Sequence, residues 1–376
     1  MHKSLTKHKS KEPCWCGSGK RYVQCHRNRQ KQQPLPEHEI KAGLRKAFEK
    51  RICLHPQRSV LCCSEQIVKS HTVSASASLD AIAEDGHVMH FYFPSKATIA
   101  QMDRVTVQEI GVKKASTFSG FCHFHDSQTF APIDQPIDQL GTQHCFLLAY
   151  RTLCLGLYNK TASFVANAGL AKDIDRGNDE QSQFVIQREL CFREVGLVAA
   201  LRELHRLKAQ VDEYLLRKDF DAISTYVIEL DHTPQIMCSV GFAVEVDFNG
   251  NRLQSLGNPE VPLDICTCSI IATKYGGAVV FAWLAEQNGA CSRLIDSLHN
   301  IKTHLVPSAV IRLVFEHGEN IYFSKSWWNG LDQYTRNKLE DRSNSFYGKD
   351  ATVLTDDGIR PVLWSIKSRF RNSSKS

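Results

Sequence analysis

Cysteine and histidine residues cluster near the N-terminus of this 376-residue sequence in a pattern that suits a metal ion. Cys14 and Cys16 are two positions apart, and the adjacent residues Cys25 and His26 follow after eight intervening residues. Four thiolate and imidazole ligands satisfy the tetrahedral coordination that zinc prefers. The Gly-Ser-Gly step between the pairs lets the chain reverse, so that both pairs can converge on one ion. Because so short a segment cannot bury a hydrophobic core, we expect a structural Zn²⁺ to supply its folding energy.

Residues 14–26 follow the pattern Cys-x-Cys-Gly-Ser-Gly-Lys-x-Tyr-x-x-Cys-His. This pattern resembles the SEC-C motif, a small zinc hook found at the C-terminus of the SecA translocase and in many otherwise unrelated bacterial proteins. The resemblance implies that Cys14, Cys16, Cys25 and His26 bind zinc. It also implies docking on a protein or a ribosome surface rather than catalysis, because all four zinc positions are filled.

A second group of candidate ligands lies downstream of the first. Cys122 and His125 are three apart, and if Cys122 opens a helix, this spacing places both side chains on one face of its first turn. An upstream cysteine pair that joins such a helical pair forms the zinc site of a treble clef. We therefore predict a second structural Zn²⁺ held by Cys53, Cys63, Cys122 and His125, with Cys62 as the alternative to Cys63.

Two further residues stand at informative places, since His71 lies between the two ligand pairs and Asp126 directly follows the second pair. This order, within residues 53–134, resembles the HNH endonuclease superfamily, many of whose members are built on a structural treble clef. The resemblance implies that Asp126 binds a catalytic Mg²⁺ or Mn²⁺, which polarises the scissile phosphate. It also implies that a neutral His71 takes a proton from water, so that a phosphodiester bond is hydrolysed.

Several positions depart from the HNH pattern. Nine residues separate Cys53 from Cys63, Ser70 stands where an aspartate commonly precedes the histidine, and Asp126 replaces the usual histidine or asparagine. The span between His71 and the second ligand pair, 50 residues, is also longer than the compact hairpin of that superfamily. The alternative interpretation is a non-catalytic SEC-C adaptor with two structural zinc sites. A catalytic site needs open coordination in a basic cleft, whereas an adaptor would bury His71 and pair Asp126 internally.

The elements that must position these residues divide the chain into four zones, which together predict an α+β fold. Residues 1–36 form the small N-terminal zinc hook and a proline-containing linker, and we expect the hook to fold on its own. Residues 37–140 form a treble-clef-like, HNH-like zinc domain of short strands and turns. Residues 141–225 form a helical arm, and residues 226–376 form a β-rich C-terminal domain whose role the sequence leaves open.

Hydrophobic periodicity indicates the helical arm and the C-terminal strands. Apolar residues separated by three, four or seven positions mark a long helix, namely Ile186, Leu190, Leu197, Leu201, Leu204, Val211 and Leu215. Arg193 and Lys208 interrupt this seam, which is compatible with an intramolecular arm or with a coiled-coil dimer. β-Branched runs bounded by turn residues predict an antiparallel sheet, with strands at Ile236–Phe248, Ile265–Thr273, Val279–Leu284 and Val310–Phe315.

The distribution of charge and the number of cysteines indicate what kind of partner the protein binds and in which compartment it lies. Residues 1–51 carry 14 Lys and Arg against four Asp and Glu, whereas the rest of the chain carries 32 against 36. A basic segment on a near-neutral body suits an anionic partner, such as a nucleic acid or a ribosome surface. The 14 cysteines, without a signal peptide or an apolar run that could cross a bilayer, predict a protein of the reducing cytoplasm. By analogy with HNH nucleases, we expect a nucleic-acid-directed protein of bacterial or prophage defence type, whose oligomeric state stays open.

Overall fold

The described part of the chain forms two compact units in a computed structural model. It comprises residues 10–59, 61–64, 66–92, 105–257, 261–284, 289–345 and 353–373. Within it, residues 10–50 and 159–202 form the smaller unit, and the remaining residues form the larger one. The first nine residues of the basic segment lie outside the described part. The four-zone division therefore stays a prediction, whereas the expected mixture of helix and sheet with two Cys/His sites is confirmed.

Helices and strands occur along the whole described chain, often as runs of one kind. The helices are α1 Tyr22–Cys25, α2 Glu37–Phe48, α3 Asp80–Ile82, α4 His123–Asp134, α5 Thr142–Leu170, α6 Glu180–Arg217, α7 Ala290–His299, α8 Val306–His317, α9 Lys325–Gly330 and α10 Gln333–Ser345. The strands are β1 Ile67–His71, β2 His87–Tyr92, β3 Thr106–Gly111, β4 Thr117–Cys122, β5 Ser224–Leu230, β6 Ile236–Phe242, β7 Cys266–Thr273, β8 Gly276–Trp283, β9 Ile321–Phe323 and β10 Ile366–Asn372. Among the described helices, none combines the length and the apolar character that a membrane span requires.

A small apolar core in the smaller unit joins α2 to the neighbouring parts of α5 and α6. Ile40, Leu170 and Leu190 are buried in this core. The side-chain amide of Asn167 donates to the carbonyl of Leu190 (3.1 Å), which ties α5 to α6 at a buried position. The predicted seam of α6 is thus covered within the chain at Leu190 and at Leu197, as the intramolecular alternative requires.

An eight-stranded antiparallel sheet organises the larger unit, in the order β10-β5-β8-β7-β6-β9-β2-β3. Its central strands β7 and β8 are buried along nearly their whole length. Apolar side chains of α7 and α8 belong to the same core as the sheet. Two of the strands, β2 and β3, come from the segment between His71 and Cys122, so the sheet combines segments that are distant in sequence.

One predicted strand is wrong, because residues 310–315 belong to helix α8. The run Val310–Phe315 is β-branched and apolar, and every residue of α8 from Val306 to Glu316 is buried. A helix that is buried on all sides lacks the polar face that reveals a helical period, and its sequence then resembles a buried strand. Pro307 lies at the start of α8, where a helix tolerates proline and where a start signal could have been read.

A two-stranded antiparallel ribbon positions the second group of candidate ligands. Ile67 of β1 lies opposite Cys122 of β4, and His71 lies opposite Thr117. Helix α4 begins at His123, directly after β4, with Cys122 at its N-cap position. The resulting order of strand, strand and helix is that of the predicted treble clef. Ser70 near the end of β1 contacts the first turn of α4 through a hydrogen bond to Asp126.

Candidate metal centres

The four N-terminal candidates converge on a single point. The ligand atoms of Cys14, Cys16, Cys25 and His26 all lie within 4.8 Å of one another. The Sγ atom of Cys14 is 3.1 Å from Nδ1 of His26, and the Sγ atoms of Cys16 and Cys25 are 3.6 Å apart. A zinc tetrahedron with Zn–S and Zn–N bonds of about 2.3 and 2.0 Å has edges of about 3.5–3.8 Å. These four side chains therefore fit a tetrahedral zinc ion.

Backbone turns bring the two N-terminal pairs together. Gly17 and Gly19 have φ angles of 76° and 72°, which L-residues with a side chain rarely adopt. The amide of Cys14 donates to the carbonyl of Lys20 (2.8 Å) and closes the turn. Burial raises the pKa of the Cys14 thiol to about 12, so a cation is needed to hold this side chain as the thiolate. The local sequence thus builds a site that is complete only with a metal ion.

The second group of ligands also converges. The ligand atoms of Cys53, Cys63, Cys122 and His125 lie within 4.8 Å of one another. Nδ1 of His125 is 3.3, 3.4 and 3.6 Å from the Sγ atoms of Cys122, Cys53 and Cys63, respectively. These distances are again close to the edges of a zinc tetrahedron, about 3.5–3.8 Å. Within the described residues, the two clusters are the groups of three or more Cys, His, Asp or Glu side chains that could hold a metal ion.

The segment that carries the first cysteine pair is fixed to the ribbon by its backbone. The amides of Ile52 and Leu54 donate to the carbonyls of Ser119 and Gly120 on β4 (3.1 and 2.9 Å). Cys53 is therefore held beside the end of β4, where Cys122 is the N-cap residue of α4. Cys62 is exposed and takes no part in the cluster, so the structure selects its neighbour as the fourth candidate ligand.

His55 is a residue of this centre that the sequence analysis did not assign. Its ring stacks on that of His125, with centroids 4.0 Å apart and planes inclined by 12°. Burial, together with the nearby charge of Lys208, lowers the pKa of His55 to about 4. The neutral ring of His55, stacked on His125, restricts the orientation of that candidate zinc ligand. Its position two residues after Cys53 was the available sequence signal.

His71 and Asp126 lie close enough to interact electrostatically. Nε2 of His71 lies 3.2 Å from the carbonyl oxygen of Val112 and, since a carbonyl only accepts, carries the proton and donates it. Burial lowers the pKa of His71, which favours the neutral ring at pH 7. Asp126 accepts a hydrogen bond from the hydroxyl of Ser70 (2.5 Å), and burial raises its pKa.

Arg151 of α5 is the main feature beside this pair that the sequence analysis missed. Its guanidinium, 1% exposed, donates two hydrogen bonds to the carboxylate of Asp134 (2.7 and 3.0 Å). It also stacks over the ring of Phe130 at 4.0 Å and lies 3.9 Å from Asp126. Arginine in a helix is common, and no local spacing marks this one. Its role depends on a contact formed only in the tertiary structure.

A hard divalent cation is compatible with this arrangement through Asp126. Magnesium in proteins keeps several waters and takes one or two carboxylates, with substrate phosphates completing its shell. The side chain of Asp126 is 20% exposed, so one face of the carboxylate reaches solvent. Burial raises the pKa of Asp126, and the neighbouring Arg151 opposes this rise. A bound cation would favour the ionised carboxylate.

Comparison with known proteins identifies one segment of the chain. The family model of the SEC-C motif matches residues 11–28, which contain all four ligands of the first cluster. No curated protein and no solved structure matches the chain. Zinc binding is supported both by this match and by the geometry of the two clusters. Residues 11–28 carry a SEC-C motif.

Proposed function

We propose that this protein is a metal-dependent, HNH-like phosphodiesterase that acts on nucleic acid. The observation that carries the proposal is the hydrogen bond from Nε2 of His71 to the carbonyl of Val112. This bond places the proton on Nε2 and leaves the lone pair on Nδ1, which has no hydrogen-bond partner among the described residues. A general base needs such a neutral ring with a fixed tautomer and an available nitrogen.

The neighbouring residues would divide the work of hydrolysis. Nδ1 of His71 would accept a proton from the attacking water, and the lowered pKa keeps the ring neutral for this step. The hydroxyl of Ser70 would hold the carboxylate of Asp126 in place on the first turn of α4. A bound Mg²⁺ or Mn²⁺ supplies stabilisation of the charge that develops on the phosphate. The zinc ion of the second cluster would keep β1, β4 and α4 in register.

Positive side chains support nucleic acid as the substrate. Lys113 and Lys114 are exposed and directly follow Val112, the residue that orients His71. In the smaller unit, the exposed basic residues of the SEC-C region are Lys11, Lys20, Arg21, Arg27 and Lys31. Such groups contact phosphates and contribute sequence-independent affinity. The SEC-C region is also the surface through which we propose docking on a protein or ribosome.

A second candidate function, the non-catalytic adaptor, is favoured by one feature of the same site. The carboxylate of Asp126 already accepts a hydrogen bond from Ser70 and faces the guanidinium of Arg151. In an adaptor these contacts would be purely structural, and both zinc ions would serve only to stabilise the fold. The two functions therefore differ in what the loss of His71 or Asp126 does to the folded protein.

Three variants and one control separate the two functions. His71→Ala and Asp126→Ala remove the proposed base and cation ligand, Cys122→Ser breaks the second zinc cluster, and His87→Ala replaces an exposed histidine of β2. Zinc content, thermal midpoint and cleavage of plasmid DNA and of RNA are measured with and without Mg²⁺ or Mn²⁺. We expect His71→Ala and Asp126→Ala to lose cleavage by at least about 100-fold while zinc is retained. His87→Ala should behave as the wild type.

The contrary outcome is equally well defined. Cys122→Ser should lose about one zinc ion and much of its stability, because it opens a closed tetrahedral site. If His71→Ala loses zinc as Cys122→Ser does, His71 belongs to the structural shell and the endonuclease proposal fails. Absence of cleavage by the wild type on both DNA and RNA, with either cation, would favour the adaptor.

A further inference from the structure

A buried carboxylate lies beside the SEC-C zinc cluster, in the loop between α5 and α6. Asp175 is 0% exposed and is 149 residues from the histidine that it contacts. Nε2 of His26 is 2.9 Å from Oδ2 of Asp175, and the side-chain amide of Gln187 donates to the same oxygen (2.9 Å). Arg29 forms an ion pair with Oδ1 at 2.6 Å. A fully buried carboxylate is thus surrounded by one zinc-ligand histidine, one cation and one amide.

The two nitrogens of His26 point to different partners. Nδ1 lies 3.1 Å from Sγ of Cys14 and faces the metal cluster, whereas Nε2 faces Asp175. Because a carboxylate only accepts, the proton of the neutral ring lies on Nε2 and the lone pair on Nδ1. A carboxylate in this place fixes the tautomer and the orientation of the ring and increases the basicity of the ligating nitrogen.

We propose that Asp175 is the positioning residue of the N-terminal zinc site, and that this zinc ion and the α5–α6 loop stabilise each other. Zinc holds His26 in the orientation in which it donates to Asp175. Asp175 in turn keeps His26 ready for zinc, and its other partners, Arg29 and Gln187, connect it to the SEC-C region and to α6. Loss of zinc would leave a buried carboxylate with one partner fewer, which is unfavourable.

Further contacts connect the SEC-C region to the same loop and helix. The amide of Gly177 donates to the carbonyl of Arg29 (3.0 Å), and a Cβ at Gly177 would lie 2.8 Å from Cγ of Pro34. The ring of Trp15 lies 5.5 Å from that of Phe184 on α6. The hydroxyl of Tyr22 donates to Glu180 at the start of α6 (3.1 Å). The zinc hook is therefore built into the smaller unit, which an independently folding module would not require.

The exchange of backbone amides against a rising chelator concentration tests this coupling in the full-length protein. Mass spectrometry follows peptides that cover residues 14–26, the start of α6 at 180–190, and the second cluster at 53–63. In Asp175→Ala, we expect the amides of residues 14–26 to lose protection from exchange at a chelator concentration about 10- to 100-fold lower than in the wild type. Residues 180–190 should lose protection together with 14–26, and residues 53–63 should respond as in the wild type.

Two further variants make the test specific. Asp173→Ala is the matched control, since its side chain is 52% exposed and reaches the same Arg29 only at 3.6 Å; it should match the wild type. Asp175→Asn keeps the size of the side chain and should give an intermediate loss of affinity, even if Asp175→Ala folds poorly. Cobalt substitution adds a spectroscopic signature, because a displaced His26 alters the visible absorption of the site. If both Asp175 variants release zinc from 14–26 as the wild type does, the proposal is overturned. It is also overturned if residues 180–190 stay protected after that zinc has left.

Discussion

Replacement of Arg151 by methionine tests the most buried charge in the site beside the second zinc cluster. The guanidinium is 1% exposed, makes two hydrogen bonds to Asp134 and lies over the ring of Phe130. Methionine retains much of the apolar volume of the stem but removes the positive charge and all of the donors. Arg151→Met therefore leaves Asp126 and Asp134 close together without the cation that now lies between them.

The magnitude follows from the burial of each partner. Removal of one member of a buried ion pair costs about 3–5 kcal/mol, chiefly because the other charge is left unpaired. The side chain of Asp134 is 35% exposed and can recover hydration, so the lower end of that range applies. Loss of the contact with Phe130 adds about 0.5–1 kcal/mol. We expect a loss of about 3.5–4 kcal/mol, which for a unit of this size corresponds to a thermal midpoint lower by about 7–16 °C.

Thermal denaturation of the zinc-loaded protein measures this loss, with Arg217→Met as the control. Arg217 pairs with Glu213 on α6, and both side chains are at least 65% exposed, so its replacement should cost no more than about 0.5 kcal/mol. Because Arg151→Met leaves two carboxylates uncompensated, added Mn²⁺ should raise its midpoint more than that of the wild type. If the thermal midpoint of Arg151→Met equals that of the control, the guanidinium does not stabilise Asp126 and Asp134, and the proposed role of Arg151 is wrong.

Two further predictions concern zinc and pH. Cys63→Ser should reduce the zinc content, measured by elemental analysis, from about two ions per chain to about one. Cys62→Ser changes an exposed residue outside the cluster and should leave the zinc content unchanged. Equal losses of zinc in the two variants would contradict the assignment of Cys63 as a ligand. His317 at the end of α8 is half-buried, and burial lowers its pKa to about 4 from 6.5. The unfolded chain therefore binds more protons than the folded one between these values, and the free energy of unfolding falls as the pH is lowered through that window. Between pH 7 and pH 5, the free energy of unfolding should fall by about 2 kcal/mol less in His317→Phe than in the wild type. Urea titrations at the two pH values measure this difference. Parallel pH profiles for the two proteins would refute this assignment.

The metal clusters are the part of the structure that short-range sequence information determines best. Zinc limits its ligands to a few residue types, and turns or the first turn of a helix limit their spacing. The set Cys14, Cys16, Cys25 and His26 could therefore be predicted as a unit. The sequence analysis preferred Cys63 to Cys62, and the structure brings Cys63 to the cluster. No local pattern supports this preference, because adjacent residues differ only in which side of a turn they face, and this depends on the surrounding fold.

The residues that the sequence analysis missed act through contacts that have no local pattern. Asp175 lies in a loop of ordinary composition, and Arg151 lies in the middle of a long helix. Each becomes significant because folding buries its charge and leaves few partners. The error at α8 has the same origin, since complete burial of Val310–Phe315 removes the polar face by which a helix is recognised. The roles of His71 and Asp126 stay predictions.

The long insertion between β1 and β4 is the departure from the HNH pattern that the structure best explains. It spans residues 72–116, and loop-closure entropy grows only with the logarithm of length, so it costs about 1 kcal/mol more than a hairpin of ten residues. Pairing of β2 with β9 attaches the insertion to the large sheet, which offsets this cost. The end of the insertion then returns to the ribbon, where the amide of Thr72 donates to the carbonyl of Ser116 (2.8 Å). This return brings the carbonyl of Val112 to His71. The insertion thus supplies the acceptor that orients the proposed general base, and a shorter hairpin at this place would have to orient His71 by other means.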